Sequence, residues 1–210
     1  MAPERSALLV DWGGVMTTDL FASFGAFCEA EGLLPERLRD AFRHDREARD
    51  LLIGMEEGRV EDDAFAAALA AKLGLAPERA EGMIDRMMAG ASVEPAMVDA
   101  VRAARAAGVR TGLISNSWGA SRYPQDLLGE LFDAVVISGI EGMRKPAPAI
   151  YALGAQRAGV EPAACVFVDD LPFNLEPARD LGMAVVHHTA PETTIAELET
   201  LLGTPLAPGR

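Results

Sequence analysis

Four polar residues of this chain follow short apolar runs, at positions where the strands of a parallel sheet would end. They are Asp11, Ser115, Asp169 and Asp170. Ligands of an open parallel sheet bind outside the carboxyl ends of its strands, so we expect these side chains to meet at one edge. Carboxylate oxygens suit Mg²⁺ better than a soft metal, and a hydroxyl can hydrogen-bond a phosphate oxygen. The spacing therefore predicts a site for a divalent cation and a phosphate-like group.

Asp11 lies between an apolar run and the glycine pair Gly13-Gly14. Glycine lets the main chain approach a ligand closely, and a carboxylate placed there can attack phosphorus or coordinate a metal. Asp169 and Asp170 put two carboxylates side by side, which is costly unless a cation lies between them. These residue types predict a hard oxygen site.

Lys145 is conspicuous because the chain has 19 basic residues and only two of them, Lys72 and Lys145, are lysines. A compact ammonium group can balance carboxylates and bind phosphate as a point charge. The adjacent residues Ser115 and Asn116 offer a hydroxyl and amide groups as further donors to phosphate. Lys145 is thus predicted to lie in the site, whereas its neighbour Arg144 is predicted to be solvated.

The elements that must position these residues alternate between strand and helix after residue 93. Short apolar runs predict strands at 6–10, 109–114, 134–138, 164–168 and 184–187. Helices between them, predicted to open at Pro95 and to extend over 174–181 and 195–202 for the last two, predict an α/β fold with a doubly wound, Rossmann-like parallel sheet. The stretch from about 18 to 90 has helical periodicity and no convincing strand. We therefore predict a core of 1–16 and 91–210, with a helical cap domain of 17–90 inserted after the first strand.

The bulk composition predicts an acidic globular protein. The 210 residues are 50% hydrophobic and carry a formal net charge of −13, which disfavours nucleic acid and anionic membranes as partners. The two cysteines, Cys28 and Cys165, are too few for a disulfide framework, and no apolar run suits a signal peptide or a membrane span. We expect a cytoplasmic location, and a homodimer remains open.

Four segments, in this order, resemble the motifs of the haloacid dehalogenase superfamily, specifically its phosphatase-type members with a helical cap after the first motif. The segments are Leu8–Val15, Gly112–Asn116, Lys145-Pro146 and Val166–Asn174. Each motif is weak alone, but the ordered set is specific. The resemblance extends from about Ala7 to about His188.

The resemblance implies a Mg²⁺-dependent phosphoric monoester hydrolase that acts on a small phosphorylated metabolite. Asp11 would be the nucleophile and would form an aspartyl-phosphate. Ser115 and Asn116 would bind the transferring phosphoryl group, and Lys145 would neutralise charge between nucleophile and phosphate.

The resemblance also implies a set of metal ligands. Asp11, Asp170 and the main-chain carbonyl of Gly13 would bind Mg²⁺ directly. Asp169 would support the metal through water or hydrogen bonds, and Asn174 would orient the neighbouring groups.

Gly13 departs from the phosphatase pattern, in which this position is a second Asp that serves as general acid and base. Such catalysis contributes about 10²–10⁴-fold. Its absence predicts a preference for leaving groups that depart without a proton, such as anomeric, aryl or acyl phosphates. Thr17, Asp19 and His44 are candidates to replace the missing acid.

Two alternative functions remain open at this stage. A hydrolytic 2-haloacid dehalogenase of the same superfamily needs no general acid, but the acidic pair Asp169-Asp170 favours a metal. A non-catalytic or regulatory member would bind Mg²⁺ and a phosphorylated ligand without useful turnover, and Gly13 motivates that alternative.

A basic cluster within the predicted cap has two interpretations. Its members are Arg43, His44, Arg46 and Arg49. They could bind a second anionic group of the substrate, or they could form a solvated helix face paired with neighbouring acids.

Overall fold

The computed structural model describes residues 5–206, with residue 120 described by its backbone alone. The outermost parts of the predicted core, 1–4 and 207–210, lie outside the described residues. Five strands form one parallel sheet in the order β3-β2-β1-β4-β5. They are β1 (Ala7–Val10), β2 (Arg110–Ser115), β3 (Ala134–Ile137), β4 (Cys165–Asp169) and β5 (Ala184–His187). The predicted α/β class with a parallel sheet is confirmed.

The described residues contain eleven α-helices, with short 3₁₀ turns between some of them. They are α1 (Leu20–Ala30), α2 (Arg37–His44), α3 (Arg46–Glu56), α4 (Asp62–Leu73), α5 (Met83–Met88), α6 (Pro95–Ala106), α7 (Gln125–Leu131), α8 (Ser138–Glu141), α9 (Pro148–Ala158), α10 (Pro172–Asp180) and α11 (Pro191–Leu202). Within 5–206, none of them combines the length and apolar composition that a bilayer span requires.

The sheet is buried on both faces because alternate residues of each strand point to opposite sides. Leu8 and Val10 of β1 pack into a hydrophobic cluster with α6, α7 and α11. Ala7 and Leu9 belong to a second cluster with α9 and α10. Two helical layers therefore enclose the central strand and hold its carboxyl end in a fixed position.

The helices α1 to α5 form a helical block with its own hydrophobic cluster, which includes Phe65, Leu69 and Met87. The two chain segments that enter and leave this block pair with each other. Thr17 forms an antiparallel bridge with Val93, flanked by hydrogen bonds from the Thr18 amide and the Glu94 amide. A single antiparallel bridge thus joins the two chain segments that connect this block to the sheet region. That residues 17–90 form a separate cap domain stays a prediction.

Candidate active site

The register of the sheet brings three predicted site residues together. Val10 pairs with Leu113 on one side and with Val168 on the other, so β1, β2 and β4 end side by side. Asp11 continues β1, and its amide donates to the Val168 carbonyl at 2.9 Å. Ser115 and Asp169 close their own strands. Both were predicted one residue beyond a strand end, but they pair within the sheet.

Lys145 bridges two of the carboxylates from a fully buried position. Its Nζ lies 2.8 Å from Asp11 Oδ1 and 2.6 Å from Asp169 Oδ2. The Asn116 side chain fixes the Lys145 main chain, because Asn116 Oδ1 accepts from the Lys145 amide and Nδ2 donates to the Lys145 carbonyl. Both polar atoms of the Asn116 side chain are therefore used in hydrogen bonds to the Lys145 main chain. If Asn116 contacts a phosphate group, as predicted, the group that donates is its main-chain N–H.

Three carboxylates crowd together beside this lysine. Oxygens of Asp11, Asp169 and Asp170 lie within 4.8 Å of one another. Gly14 makes room for this arrangement, because a Cβ at that position would lie 2.6 Å from Asp170 Oδ2. Gly14 also has φ +73°, which favours glycine. Gly14 therefore lets the main chain approach the Asp170 carboxylate closely.

Burial, and to a lesser extent the neighbouring carboxylates, shift the pKa values of this cluster. Burial raises the pKa of Asp11 to about 8, against the lowering effect of Lys145, and the other two carboxylates raise it further. Burial, with Asp169, raises the pKa of Asp170 to about 6. Burial alone would lower the pKa of Lys145, but Asp11 and Asp169 outweigh it and the pKa is raised. One ammonium does not balance three carboxylates, so the site favours a further cation.

The oxygen donors around the cluster fit a hard divalent cation. Asp169 is held by Lys145 on Oδ2, while its Oδ1 accepts from Asn174 Nδ2 and from the Leu171 amide at 2.9 Å each. The Asn174 Oδ1 is buried and has no hydrogen-bond partner within the described part of the chain. An unpaired buried oxygen beside carboxylates suits a metal-bound water. Asp11 and Asp170 could therefore hold a divalent cation, and Asp169 and Asn174 could support it through hydrogen bonds or water.

Tyr123 is a site residue that the sequence did not suggest. Its hydroxyl donates to Ser115 Oγ at 2.9 Å, and its ring meets Trp12 edge-on at 5.7 Å between centroids. Burial raises the pKa of Tyr123 to about 12, so the phenol stays protonated and can donate. The hydrogen of the Ser115 hydroxyl remains available to a ligand. No pattern marks Tyr123, because it lies in the irregular connection between β2 and α7.

Of the three candidates for the missing acid, Thr17 alone lines the cavity above Asp11. The Thr17 hydroxyl accepts from the Gly14 amide and donates to the Thr18 carbonyl, both at 3.1 Å. Asp19 instead caps α1 by accepting from the Phe21 amide, and His44 lies exposed on α2. Thr17 is thus the candidate that this cavity reaches, whereas Asp19 lines a neighbouring cavity together with Asp170 and contributes to raising the pKa of that carboxyl.

A cavity of about 940 Å³ separates the site from the helical block. The prediction that Arg144 is solvated is wrong, because its guanidinium pairs directly with Glu56 at the end of α3, and both residues line this cavity. The Glu56 side chain is only 7% exposed, and burial raises its pKa. Of the predicted basic cluster, Arg43 alone lines the cavity, while Arg46 pairs with Asp50 at 3.6 Å.

A sequence model described as a haloacid dehalogenase-like hydrolase matches residues 6–182. Among curated proteins, acyl-CoA dehydrogenase family member 10 of Mus musculus is 40% identical over 116 residues. Fructose-1-phosphate phosphatase of Escherichia coli is 38% identical over 118 residues. Each match covers 53% of this chain, but 11% of the mouse protein and 60% of the bacterial one. The chain therefore spans less than two thirds of either relative.

The same fold is found in a solved structure. It is a haloacid dehalogenase family enzyme of Bacteroides thetaiotaomicron in complex with magnesium and inorganic phosphate. The TM-score is 0.65 at 19% identity, and the match covers 89% of this chain and 95% of that one. At this identity the likeness establishes a shared fold.

Proposed function

The chain belongs to the haloacid dehalogenase-like hydrolase family, and from that membership we propose that it is a Mg²⁺-dependent phosphoric monoester hydrolase. Its substrate would be a small phosphorylated metabolite, and its intermediate an aspartyl-phosphate at Asp11. The observation that carries this proposal is the buried Lys145 bridge between Asp11 and Asp169, with Asp170 alongside. The phosphatase relative and the magnesium- and phosphate-bound structural neighbour support the same function.

The geometry around Asp11 suits a nucleophilic carboxylate. Asp11 Oδ1 accepts from Lys145 Nζ at 2.8 Å and from the Trp12 amide at 2.7 Å, which fixes the rotation of the carboxylate. A nucleophile held in one orientation loses little further freedom when it reacts. The cavity opens directly onto this group, so a phosphate ester can reach it.

A bound Mg²⁺, held by Asp11, Asp170 and the Gly13 carbonyl, would neutralise the phosphate oxygens and the excess carboxylate charge. The residues of the chain do the rest. Lys145, the Ser115 hydroxyl and the Asn116 main-chain N–H would bind the phosphoryl oxygens. Hydrogen bonds with Asp169, Tyr123 and the Asn116 side chain hold these donors in place before a substrate binds. Little reorganisation of the site should therefore accompany the reaction.

Two displacements at phosphorus complete the proposed reaction. An oxygen of Asp11 attacks phosphorus, the bond from phosphorus to the ester oxygen breaks, and the leaving group departs with that electron pair. Water then attacks the phosphorus of the aspartyl-phosphate and gives up a proton to solvent, the bond to Asp11 breaks with its electron pair on the carboxylate, and inorganic phosphate leaves. Because residue 13 is glycine, no side chain there protonates the leaving oxygen or deprotonates the water.

The test is a pre-steady-state assay with p-nitrophenyl phosphate, with and without Mg²⁺, on the wild type and on Asp11→Asn. A magnesium-dependent burst or steady turnover in the wild type, absent from the variant, is expected. A burst followed by slow turnover would place the defect in hydrolysis of the intermediate. If the wild type shows neither a burst nor turnover under both conditions, that result would contradict the proposal and favour the ligand-binding or the 2-haloacid dehalogenase alternative.

A further inference from the structure

The cavity above Asp11 has an apolar chamber on the side of the helical block. Its total volume of about 940 Å³ is near the upper end for small-molecule sites, so a phosphate group fills only a part of it. The chamber walls are aliphatic or aromatic side chains from four helices and the loop after β2. They include Leu20, Phe24, Phe42, Leu52, Met88 and Trp118.

Trp118 is the centre of an aromatic cluster in this wall. Its ring centroid lies 5.3 Å from that of Phe24, 6.1 Å from Phe42 and 5.8 Å from Phe65, in tilted or edge-on arrangements. Trp118 follows Ser115 by only three residues, so the aromatic wall begins beside the proposed phosphate site. Such walls favour a flat apolar ligand through dispersion and ring–ring contacts.

Exposed apolar side chains concentrate around the same cavity. The described residues contain five large hydrophobic side chains that are strongly exposed, and three of them, Phe21, Val93 and Phe173, line this cavity. A single exposed hydrophobic residue needs no explanation, but a group of them around one opening marks a ligand site. Arg39 and Arg43, both exposed, add a polar rim.

Two other arginines that line the cavity, Arg122 and Arg144, are paired with acids of the helical block. Arg122 pairs with Asp62 and with Asp85, and Arg144 pairs with Glu56. A leaving group rich in hydroxyls would find few partners here, and an unpaired hydroxyl loses its hydrogen bonds to water on binding. The chamber therefore disfavours a sugar.

Gly13 gives an independent indication of the leaving group. With no carboxyl at residue 13, the ester oxygen must depart with the electron pair of its bond to phosphorus and collect a proton from water. A phenol, with an acidity near that of a tyrosine side chain at about 10, does this far more readily than an aliphatic alcohol.

Resting on the phosphatase function proposed above, we infer that the substrate is an aryl phosphate monoester, with phosphate esterified to a phenolic hydroxyl on an apolar aromatic skeleton. The phosphate lies at Ser115 and Lys145. The rings lie in the chamber against the wall that Phe24, Phe42 and Trp118 form.

The test compares kcat/KM for 2-naphthyl phosphate, phenyl phosphate and a hexose 6-phosphate in the presence of Mg²⁺. The second ring of the naphthyl ester should raise kcat/KM roughly tenfold over phenyl phosphate, from its added apolar area. The hexose phosphate should be the poorest substrate. Phe21→Ala removes a cavity side chain that is 45% exposed and should reduce the naphthyl preference severalfold, whereas Leu34→Ala, at 69% exposed and outside the cavity, should preserve it.

A binding measurement that needs no turnover distinguishes failure of this inference from failure of the proposed function. Calorimetry with 2-naphthylphosphonate and methylphosphonate should show tighter binding of the naphthyl compound, even if no phosphate ester is hydrolysed. Aryl phosphate turnover with no naphthyl preference, or with the hexose phosphate preferred, would overturn the inference and leave the phosphatase function standing. Absence of both turnover and naphthylphosphonate binding would overturn both.

Discussion

At the scale of single residues, charge balance around Asp11 decides what the site can do. Three carboxylates share one buried ammonium, and the pKa of Asp11 is raised to about 8 as a result of burial and its acidic neighbours. A divalent cation among these oxygens would restore the charged form of Asp11, which is the nucleophilic form. The proposed metal and the proposed nucleophile therefore depend on each other.

Placing an acid at residue 13 tests whether the lack of a general acid there limits the turnover of alkyl phosphates. A Cβ on Gly13 would lie 2.5 Å from Leu20 Cδ1, at the flexible end of that side chain, so we would introduce Gly13→Asp together with Leu20→Ala. Turnover of alkyl phosphates should rise by roughly 10²-fold, since these esters need a proton donor, and aryl phosphates should gain less. Leu20→Ala alone is the control. An unchanged alkyl-to-aryl ratio would mean that another group already supplies the proton.

Some residues of the site could be predicted from the sequence, and others could not. Asp11, Ser115 and Asp169 end or follow strands of one parallel sheet, so their convergence follows from pattern and topology. Tyr123 could not be found, because no periodicity governs the loop that carries it. Arg144 was misjudged because its partner lies in another element, and only the packing of the helical block against the sheet brings the two together.

At the scale of elements, the end of α3 holds the helical block against α8 and the loop carrying Lys145. Glu56 pairs with Arg144, and the Ser138 hydroxyl of α8 donates to the Glu56 carbonyl. Gly58 lies so close to Gly139 that a Cβ there would collide with its carbonyl. A polar anchor and a close backbone approach therefore fix this side of the cavity.

Removing one partner of this anchor should destabilise the fold strongly. Arg144→Met would leave the buried Glu56 charge unpaired, at a cost of about 3–5 kcal/mol in the free energy of unfolding, measured by urea denaturation. Arg102→Met is a matched control, because Arg102 is 48% exposed and its pairs should be worth at most about 1 kcal/mol.

The pH dependence of that loss identifies Glu56 as its cause. Burial already raises the folded-state pKa of Glu56, and removal of Arg144 would raise it further. The folded-state pKa of Glu56 in the wild type already lies above the ordinary carboxyl pKa of about 4.3, so at any pH below that raised pKa Glu56 is protonated in both folded proteins and the cost of the substitution disappears. The cost grows as pH rises through that pKa and levels off above the still higher pKa of the variant. A loss in Arg144→Met that is independent of pH would contradict an electrostatic origin.

Element boundaries were predicted most closely where the hydrophobic pattern is strongest. The strand predicted at 184–187 matches β5, and the helix predicted from Pro95 begins there, since proline suits a first helical turn. The last two helices begin earlier than predicted, at Pro172 and Pro191, because in each case the proline opens the helix ahead of its apolar face.

At the scale of the whole molecule, two packed regions meet across the cavity, and the formal net charge is −13. The fold class followed from the alternation of strands and helices, which topology rules restrict to few arrangements. How the helical block sits on the sheet did not follow from sequence, because pairs such as Glu56 with Arg144 join residues far apart in the chain.

Magnesium should stabilise the whole fold if it binds the acidic cluster. A ligand specific to the folded state at a hundredfold excess over its Kd adds about 2.7 kcal/mol, which would raise Tm by roughly 5–10 °C for a domain of this size. Calorimetric scans with MgCl₂, against NaCl of equal ionic strength, measure this. Asp170→Asn should abolish the specific shift, and an equal shift with NaCl would argue for general charge screening instead.

The most direct measurement is acid quench of the enzyme during turnover of p-nitrophenyl phosphate with Mg²⁺, followed by mass spectrometry of the peptide that contains Asp11. A mass increase of one phosphoryl group on Asp11 is expected, and it should be absent without Mg²⁺ and in Asp11→Asn. A phosphoryl group on another residue, or undiminished turnover by Asp11→Asn, would contradict the assignment of Asp11 as the nucleophile.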